Sequence, residues 1–226
     1  MIKAVIFDLD GTLLDTLSTI AHFGNQALKS CGLNEIDVEK YKYFAGDGKK
    51  ILLKRMLEYH DVYSETLFVK LEKEYDRGYE GDATFNTKPF EGICDLLLRL
   101  KEKGVKLCVC SNKPDNVVNP LVNNVFLGLF DVCYGKKDSL PLKPDPACVF
   151  EIMDILNVHA EECLFVGDTN IDIKTAENAG NISVGVLWGF RDYEELSSAG
   201  ADYIVKNPCE IYDIVLKIEN EKTREK

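Results

Sequence analysis

The chain has 226 residues and a formal charge of −11 at pH 7, and 46% of its residues are apolar. This length suits one large domain or a core with a second, smaller domain. The negative charge argues against nucleic acid or an acidic membrane surface as a partner of the whole molecule. No apolar run approaches the ~20 residues that span a bilayer, and two aspartates interrupt the apolar N-terminal stretch. We therefore expect a soluble, cytoplasmic chain without a signal peptide.

The first predicted element is a short strand that ends in two carboxylates. Residues 2–7 are almost entirely apolar and β-prone, which predicts a strand buried on both faces. Asp8 and Asp10 follow directly, where this strand ends. A buried carboxylate is costly unless a cation or hydrogen bonds compensate it. The pair therefore predicts a site that requires positive charge.

The next segment, from about residue 16 to residue 82, has helical spacing and no convincing strand. Apolar residues recur on one helical face in residues 19–32, and residues 49–57 and 65–79 show similar spacing. We predict a small all-helical cap domain over residues 15–82, inserted after the first strand. The core domain would then consist of residues 1–14 and 83–226.

In the second half of the chain, short apolar runs alternate with amphipathic stretches. The predicted strands are residues 105–110, 130–135, 163–168 and 182–188. The predicted helices are residues 92–103, 114–126, 146–157, 170–179 and 192–199. This alternation is typical of βαβ units, so we predict an α/β fold with a doubly wound, Rossmann-like parallel sheet. The charged tail, residues 217–226, is predicted to be a solvated helix end that frays.

Polar residues stand at the carboxyl ends of four predicted strands, which is where open parallel sheets bind ligands. They are Asp8 and Asp10, then Ser111, Asn112 and Lys113, then Lys143, and finally Asp168 and Asp172. Several carboxylates at one spot repel each other unless a hard dication joins them, and oxygen ligands favour Mg²⁺. A carboxylate held ionised in this way can act as a nucleophile.

The remaining groups at this edge suit the transfer of a phosphoryl group. A serine hydroxyl, the backbone amides around Gly11 and a lysine ammonium match the oxygens of a transferring phosphoryl group. Asp10, two residues after Asp8, can protonate a leaving alkoxide and later activate water. The residues therefore predict Mg²⁺-assisted phosphoryl transfer.

Four motifs in this order closely resemble those of the haloacid dehalogenase superfamily of phosphatases. They are DLDGT (8–12), CSNK (110–113), LKPDP (142–146) and VGDTNIDIKTA (166–176). The resemblance implies that Asp8 becomes the aspartyl-phosphate, that Asp10 is the general acid and base, and that Asp168 completes the Mg²⁺ site with Asp8 and the Asp10 carbonyl. It also implies that Gly11, Ser111, Asn112 and Lys143 meet the phosphate and that Asp172 acts through water or by orienting Lys143.

The helical segment resembles the inserted cap of the phosphoglycolate phosphatase-like branch, where a glycine-containing loop precedes a helix. FAGDGKKILLKRML (44–57) matches that arrangement. Gly46 and Gly48 would let backbone amides approach an anion at the helix start. Lys49, Lys50 and Arg55 are candidate substrate contacts, with a solvated helix face as the alternative.

The resemblance implies a Mg²⁺-dependent phosphatase of small phosphorylated metabolites, with 2-phosphoglycolate as the first candidate. A nucleotidase, a pyrophosphatase, and a sugar-phosphate phosphatase or phosphomutase stay open, because related caps serve those substrates. A dehalogenase is disfavoured, because the dehalogenases of the superfamily lack an equivalent of Asp10 and need no metal. A response-regulator receiver is disfavoured too, since receivers carry the phosphorylated aspartate in mid-chain and have no cap.

Overall fold

The computed structural model describes residues 1–224, with side chains described through residue 221. The strands are β1 Ala4–Phe7, β2 Leu14–Asp15, β3 Lys88–Pro89, β4 Lys106–Pro114, β5 Val132–Lys136, β6 Cys163–Gly167, β7 Ile182–Val186 and β8 Tyr203–Val205. The helices are α1 Leu17–Ser30, α2 Tyr41–Phe44, α3 Lys49–Tyr59, α4 Glu65–Tyr79, α5 Ile93–Glu102, α6 Asp115–Phe126, α7 Ala147–Leu156, α8 Asn170–Ala179, α9 Tyr193–Ser198 and α10 Cys209–Arg224. Short 3₁₀ turns occupy Val38–Lys40 and Ala160–Glu162.

Six of the strands form one parallel sheet in the order β5-β4-β1-β6-β7-β8, which confirms the predicted doubly wound α/β fold. The chain first builds outward from β1 through β4 to β5, and then returns to add β6, β7 and β8 on the other side. This reversal opens a crevice at the carboxyl ends of the central strands. Phe7 pairs with Val109 and with Val166. The residues that follow these three positions therefore meet at one level of the sheet edge.

Helices cover both faces of the sheet, as the uninterrupted apolar sequence of β1 requires. Val5 and Phe7 pack into a cluster with α5, α6 and α10. Ala4 and Ile6 point to the other face and pack against α7 and α8. All four side chains are fully buried. Residues on alternate sides of a strand point to opposite faces, so β1 lies between two apolar layers.

The helices α1–α4 share a separate apolar cluster that includes Phe23, Leu53, Met56 and Leu71. The antiparallel pair β2–β3, which the sequence analysis does not predict, connects this helical segment to the sheet-containing part of the chain. Val117 of α6 belongs to the same cluster, so the helical segment packs against α6. The division into a cap at residues 15–82 and a core stays a prediction.

Strand β4 is longer than predicted, and this changes the setting of three candidate site residues. The apolar pattern predicts an end at residue 110, but the strand continues to Pro114, with an irregular register between Cys110 and Pro114. Ser111, Asn112 and Lys113 therefore lie within this irregular end and do not follow it. Backbone pairing of Pro114 with Lys136 of β5 extends the strand although its side chains are polar.

The C-terminal part of the fold contains one strand and one helix that the sequence predicts only in part. Strand β8 is not predicted, and α10 extends the charged tail as a helix to Arg224. Residues 225–226 of the tail that is predicted to fray lie outside the described residues. Within the described part of the chain, no helix is both long and apolar enough to cross a bilayer.

Candidate active site

Asp8 occupies the centre of the sheet edge, directly after β1. Its backbone N–H donates to the carbonyl of Val166 on β6, which continues the sheet pairing by one residue. The side chain is buried, and its Oδ1 accepts a hydrogen bond of 2.6 Å from Lys143 Nζ. No described residue donates a hydrogen bond to its Oδ2. The carboxylate is thus fixed by one oxygen, and the other is available for chemistry.

Lys143 comes from the loop between β5 and α7 and reaches two carboxylates at once. Its Nζ lies 2.6 Å from Asp8 Oδ1 and 2.7 Å from Asp172 Oδ1. Burial by itself lowers the pKa of this lysine, but the negative charges of Asp172 and Asp8 outweigh that effect and raise it. Lys143 is therefore a fixed cation beneath the sheet edge.

Asp168 and Asp172 complete a buried carboxylate cluster after β6. Asp168 accepts hydrogen bonds from Thr12 Oγ1 at 3.0 Å and from the backbone N–H of Phe190 at 2.7 Å. Asp172 lies in the first turn of α8, where its Oδ2 accepts from both the N–H and the hydroxyl of Thr169. Its other oxygen holds Lys143. Asp172 therefore orients Lys143 directly, which is one of the two roles predicted for it.

Gly11 lies where the turn after β1 passes close to Asp168, and its predicted contact with phosphate stays a prediction. Its N–H donates to the carbonyl of Leu14, so this amide is already used within the turn. The residue has φ +86°, and a Cβ placed there would come within 2.4 Å of Asp168 Oδ2. Glycine is therefore needed so that the turn can approach Asp168 closely.

The Asn112 side chain binds backbone groups of two separate segments. Its Oδ1 accepts from the Lys143 N–H at 2.8 Å, and its Nδ2 donates to the carbonyls of Lys143 and Gly46. The amide therefore fixes the backbone that carries Lys143 and ties the loop before α3 to β4. These bonds give the side chain a positioning role, and the contact of Asn112 with phosphate stays a prediction. Ser111 lies beside it with an oxygen that accepts from the Lys113 N–H.

The charges of this cluster fit a divalent cation. Oxygen atoms of Asp8, Asp168 and Asp172 lie within 4.8 Å of one another, and Lys143 supplies one positive charge to the three. Burial raises the pKa of Asp8 to about 7, and Asp172 and Asp10 add to that rise while Lys143 opposes it. Burial, with the charges of Asp172 and Asp8, also raises the pKa of Asp168 well above its usual value. Oxygen donors with surplus negative charge are what a hard cation binds.

The metal-free protein is expected to lose stability as the pH rises from about 4 to about 7. A carboxyl whose pKa is higher in the folded state binds more protons there than in the unfolded state, so the free energy of unfolding falls with pH across that window. MgCl₂ should raise the melting temperature most at pH 8, where the carboxylates are ionised. Thermal denaturation from pH 5 to pH 8, in EDTA and in MgCl₂, measures both effects. A Mg²⁺ effect independent of pH would contradict the assignment of these carboxylates as ligands.

Asp10 pairs with Lys113, a different lysine from the one that bonds Asp8 and Asp172. Lys113 Nζ donates to both oxygens of Asp10, at 2.9 and 3.0 Å. The same ammonium group donates to the hydroxyl of Tyr79 at the end of α4. Lys113 and Tyr79 are both buried. Sequence reasoning places Lys113 at the sheet edge but gives it no role, and it misses Tyr79, which lies 34 residues from Lys113 in a segment with no site motif.

The cap residues named from the sequence separate into two groups. Gly46, Gly48 and Lys49 line the cavity above Asp8 and Asp10. Lys50 is exposed, and Arg55 bonds Asp47 at 2.6 Å and the carbonyls at positions 43 and 44; both lie outside the cavity lining. Lys50 thus faces solvent and Arg55 is held by its bonds to the loop before α3, and a substrate contact for either stays a prediction.

The third cation of this group, Lys49, is already paired. Its Nζ lies 2.7 Å from Asp76 and 3.2 Å from Glu72, both on α4. Burial by itself lowers the pKa of Lys49, but its bonds to Asp76 and Glu72 raise it. Two carboxylates thus neutralise the one cation that α3 brings to the cavity.

Apolar and aromatic side chains supply much of the cavity wall on the side of the helical segment. They are Ile20, Leu52, Tyr75 and Tyr79, and Val117 of α6 adds to the same lining. The rings of Tyr75 and Tyr79 stack with centroids 5.2 Å apart. Asp76 and Glu80 add acidic groups to the same wall. A cavity with a largely apolar wall suits a small ligand with few hydroxyl groups.

Known proteins share this architecture and sequence. Residues 5–186 match the family model described as haloacid dehalogenase-like hydrolase. A phosphoglycolate phosphatase from Aquifex aeolicus is 32% identical over 214 residues, which cover 94% of this chain and 96% of that relative. One from Photorhabdus laumondii is 32% identical over 212 residues, covering 91% and 89%. The crystal structure of a candidate phosphoglycolate phosphatase from Lactobacillus delbrueckii is 33% identical, with a TM-score of 0.90 and coverage of 94% and 98%.

Proposed function

Because this chain belongs to the haloacid dehalogenase-like hydrolases and is a phosphoric monoester hydrolase, we propose that it hydrolyses 2-phosphoglycolate with Mg²⁺ through an aspartyl-phosphate intermediate. The main support for the proposal is the environment of the Asp8 side chain. Its carboxylate is buried and lines the cavity, one oxygen is held by Lys143, and the other accepts no hydrogen bond from any described residue. A fixed carboxylate of this kind is suited to nucleophilic attack.

In the first proposed step, Asp8 attacks phosphorus and the bond from phosphorus to the ester oxygen breaks. Asp10 gives its proton to the departing oxygen. In the second step, Asp10 takes a proton from water, the water oxygen attacks the phosphorus of the aspartyl-phosphate, and Asp8 is released with inorganic phosphate. Ser111 and Lys143 bind phosphoryl oxygens, and Lys143 stays in place because Asp172 holds it.

The residues assigned to the metal are Asp8, Asp168 and the backbone carbonyl of Asp10. When bound, Mg²⁺ neutralises charge on the phosphoryl oxygens and allows the neighbouring carboxylates to stay ionised. Asp172 is assigned to Lys143, because it forms an ion pair with that lysine at 2.7 Å, whereas Asp168 accepts hydrogen bonds only from Thr12 and Phe190 and has no cationic partner among the described residues. Asp168 is then the acidic side chain whose main role is to bind the metal.

Two features support 2-phosphoglycolate as the substrate. The relatives from Aquifex aeolicus and Photorhabdus laumondii are named phosphoglycolate phosphatases. The cavity wall is largely apolar, which disfavours a sugar phosphate with several hydroxyl groups. Residues 15–82 are proposed to act as a cap that covers the site and excludes water.

A substrate screen tests this proposal. Values of kcat/KM are measured with MgCl₂ for 2-phosphoglycolate, a nucleoside monophosphate, pyrophosphate, glucose 6-phosphate and β-glucose 1-phosphate. We expect 2-phosphoglycolate to rank first by at least about tenfold. EDTA should abolish turnover and Mg²⁺ should restore it.

The outcomes of the screen separate the parts of the proposal. A higher kcat/KM for a nucleotide or sugar phosphate would remove 2-phosphoglycolate and leave the phosphatase chemistry. Isomerisation of β-glucose 1-phosphate without ester hydrolysis would establish a phosphomutase instead. Full activity in EDTA would overturn the metal assignment.

A further inference from the structure

We propose that Lys113 and Tyr79 bind a carboxylate on the leaving group and thereby select phosphomonoesters that carry one; this inference rests on the proposed function. The second negative group of the substrate, its carboxylate, then binds to a buried lysine of β4 and a tyrosine of α4. The cap lysines and arginine named from the sequence, Lys49, Lys50 and Arg55, are not required for it.

Lys113 is placed where the leaving group must lie. Its Nζ is 2.9 and 3.0 Å from the two oxygens of Asp10. Asp10 protonates the ester oxygen in the proposed reaction, so that oxygen has to come within hydrogen-bond distance of the same carboxylate. In 2-phosphoglycolate a single methylene separates the ester oxygen from the carboxylate. A carboxylate attached in this way reaches the immediate surroundings of Lys113 Nζ.

Tyr79 provides the second contact on the side of the helical segment. Its hydroxyl oxygen accepts a hydrogen bond from Lys113, which leaves the hydroxyl proton to be donated to a ligand. The side chain is buried, its ring stacks on Tyr75, and Lys113 Nζ lies 4.6 Å from the ring centre. A buried ammonium and a buried hydroxyl side by side form a charge-assisted site for a carboxylate.

Lys49, the other cation that lines the cavity, is less able to bind the substrate carboxylate. Lys49 is held by two carboxylates, those of Asp76 and Glu72, and neither of them has a step in the reaction. Lys113 is held by Asp10, whose oxygens must turn to the leaving group during turnover. The partner of Lys113 therefore changes its bonding in the reaction, whereas the partners of Lys49 do not.

The same contacts couple carboxylate binding to the chemical step. Both oxygens of Asp10 accept hydrogen bonds from Lys113, so an ester oxygen has to compete with this ammonium group for the carboxylate while that pairing is complete. A substrate carboxylate gives Lys113 a replacement acceptor and releases an oxygen of Asp10. An ester without the carboxylate leaves the pairing intact. The carboxylate should therefore raise kcat as well as lower KM.

The test compares two esters that differ only at the group in question. In 2-hydroxyethyl phosphate, a hydroxymethyl group replaces the carboxylate of 2-phosphoglycolate. Wild-type enzyme with MgCl₂ is expected to favour 2-phosphoglycolate in kcat/KM by roughly 10²-fold, with part of the difference in kcat. Lys113→Met should remove most of that preference. Tyr79→Phe, which keeps the ring and the Asp10–Lys113 pair, should reduce it by about tenfold.

Matched control variants come from side chains on the outer surface of the helical segment. Lys54→Met removes a half-exposed lysine and Tyr59→Phe removes a half-exposed hydroxyl. Both should keep the wild-type preference. Circular dichroism and thermal melting check that each variant is folded, and Tyr79→Phe tests the proposal even if Lys113→Met does not fold.

Three results would overturn the inference. Equal losses for both esters in Lys113→Met and no change of preference in Tyr79→Phe would mean that Lys113 only positions Asp10. Equal kcat/KM for the two esters in the wild type would mean that no carboxylate is recognised, while the phosphatase proposal would stand. Hydrolysis of neither ester by the wild type would remove the proposed substrate and this inference together.

Discussion

Asp8→Asn is expected to lower kcat by roughly 10⁴–10⁶-fold while the protein stays folded. The amide keeps the shape of the carboxylate but cannot attack phosphorus. Folding should persist, because Lys143 keeps its bond to Asp172 and the substitution removes one of three crowded buried acids. The turnover rate with 2-phosphoglycolate measures the loss of activity. The melting temperature in EDTA at pH 8 checks that the protein stays folded. Asp154→Asn, at an exposed aspartate, is the matched control.

Comparison of Asp10→Asn with Asp8→Asn separates the loss of the acid–base group from the loss of the nucleophile. Loss of general acid–base catalysis should slow turnover by roughly 10²–10⁴-fold, less than the loss of the nucleophile. Beryllofluoride should form an adduct on Asp8 in the wild type and none in Asp8→Asn. Appreciable turnover by Asp8→Asn, or an adduct at another residue, would show that the covalent step has been assigned wrongly.

Lys143→Met is expected to destabilise the protein by about 3–5 kcal/mol and to abolish turnover. The lysine side chain is 3% exposed and bonds Asp8 and Asp172, so its loss leaves both carboxylates buried without their cation. The penalty should be smaller at pH 5 than at pH 8, because protonation removes the unpaired charge at low pH. Urea unfolding in EDTA at the two pH values measures it.

A second substitution tests whether charge is the cause of that destabilisation. Asp172→Asn added to Lys143→Met should restore part of the stability, since it removes one of the stranded charges, but it should not restore activity. Lys174→Met removes an exposed lysine of α8 and should change the free energy of unfolding little. A loss of less than about 1 kcal/mol in Lys143→Met at pH 8 would contradict the electrostatic account.

The sheet edge could be predicted from the sequence because its signals are local. An apolar run such as that before Asp8 specifies a buried strand, and alternation with helical stretches specifies a parallel sheet whose carboxyl ends share an edge. Asp8, Lys143 and Asp172 accordingly form the bridged cluster that the structure contains, with Asp168 beside them. The end of β4 could not be predicted in the same way, since backbone pairing with β5 extends it through polar residues.

Pairings between distant segments depend on packing and leave no periodic signal. Lys113 bonds Asp10, which is 103 residues away in the sequence, and Tyr79, which is 34 residues away, because β1, β4 and α4 come together at the sheet edge. Lys49 looks like a free cation in the sequence, but α4 lies alongside α3 and supplies the carboxylates that neutralise it. A side chain's charge is set by its residue type, whereas its partner is set by the neighbour that packing brings within hydrogen-bond distance. The sequence by itself therefore determined the α/β class and the sheet edge that gathers the buried carboxylates, and only the tertiary structure decided which carboxylate each lysine pairs with.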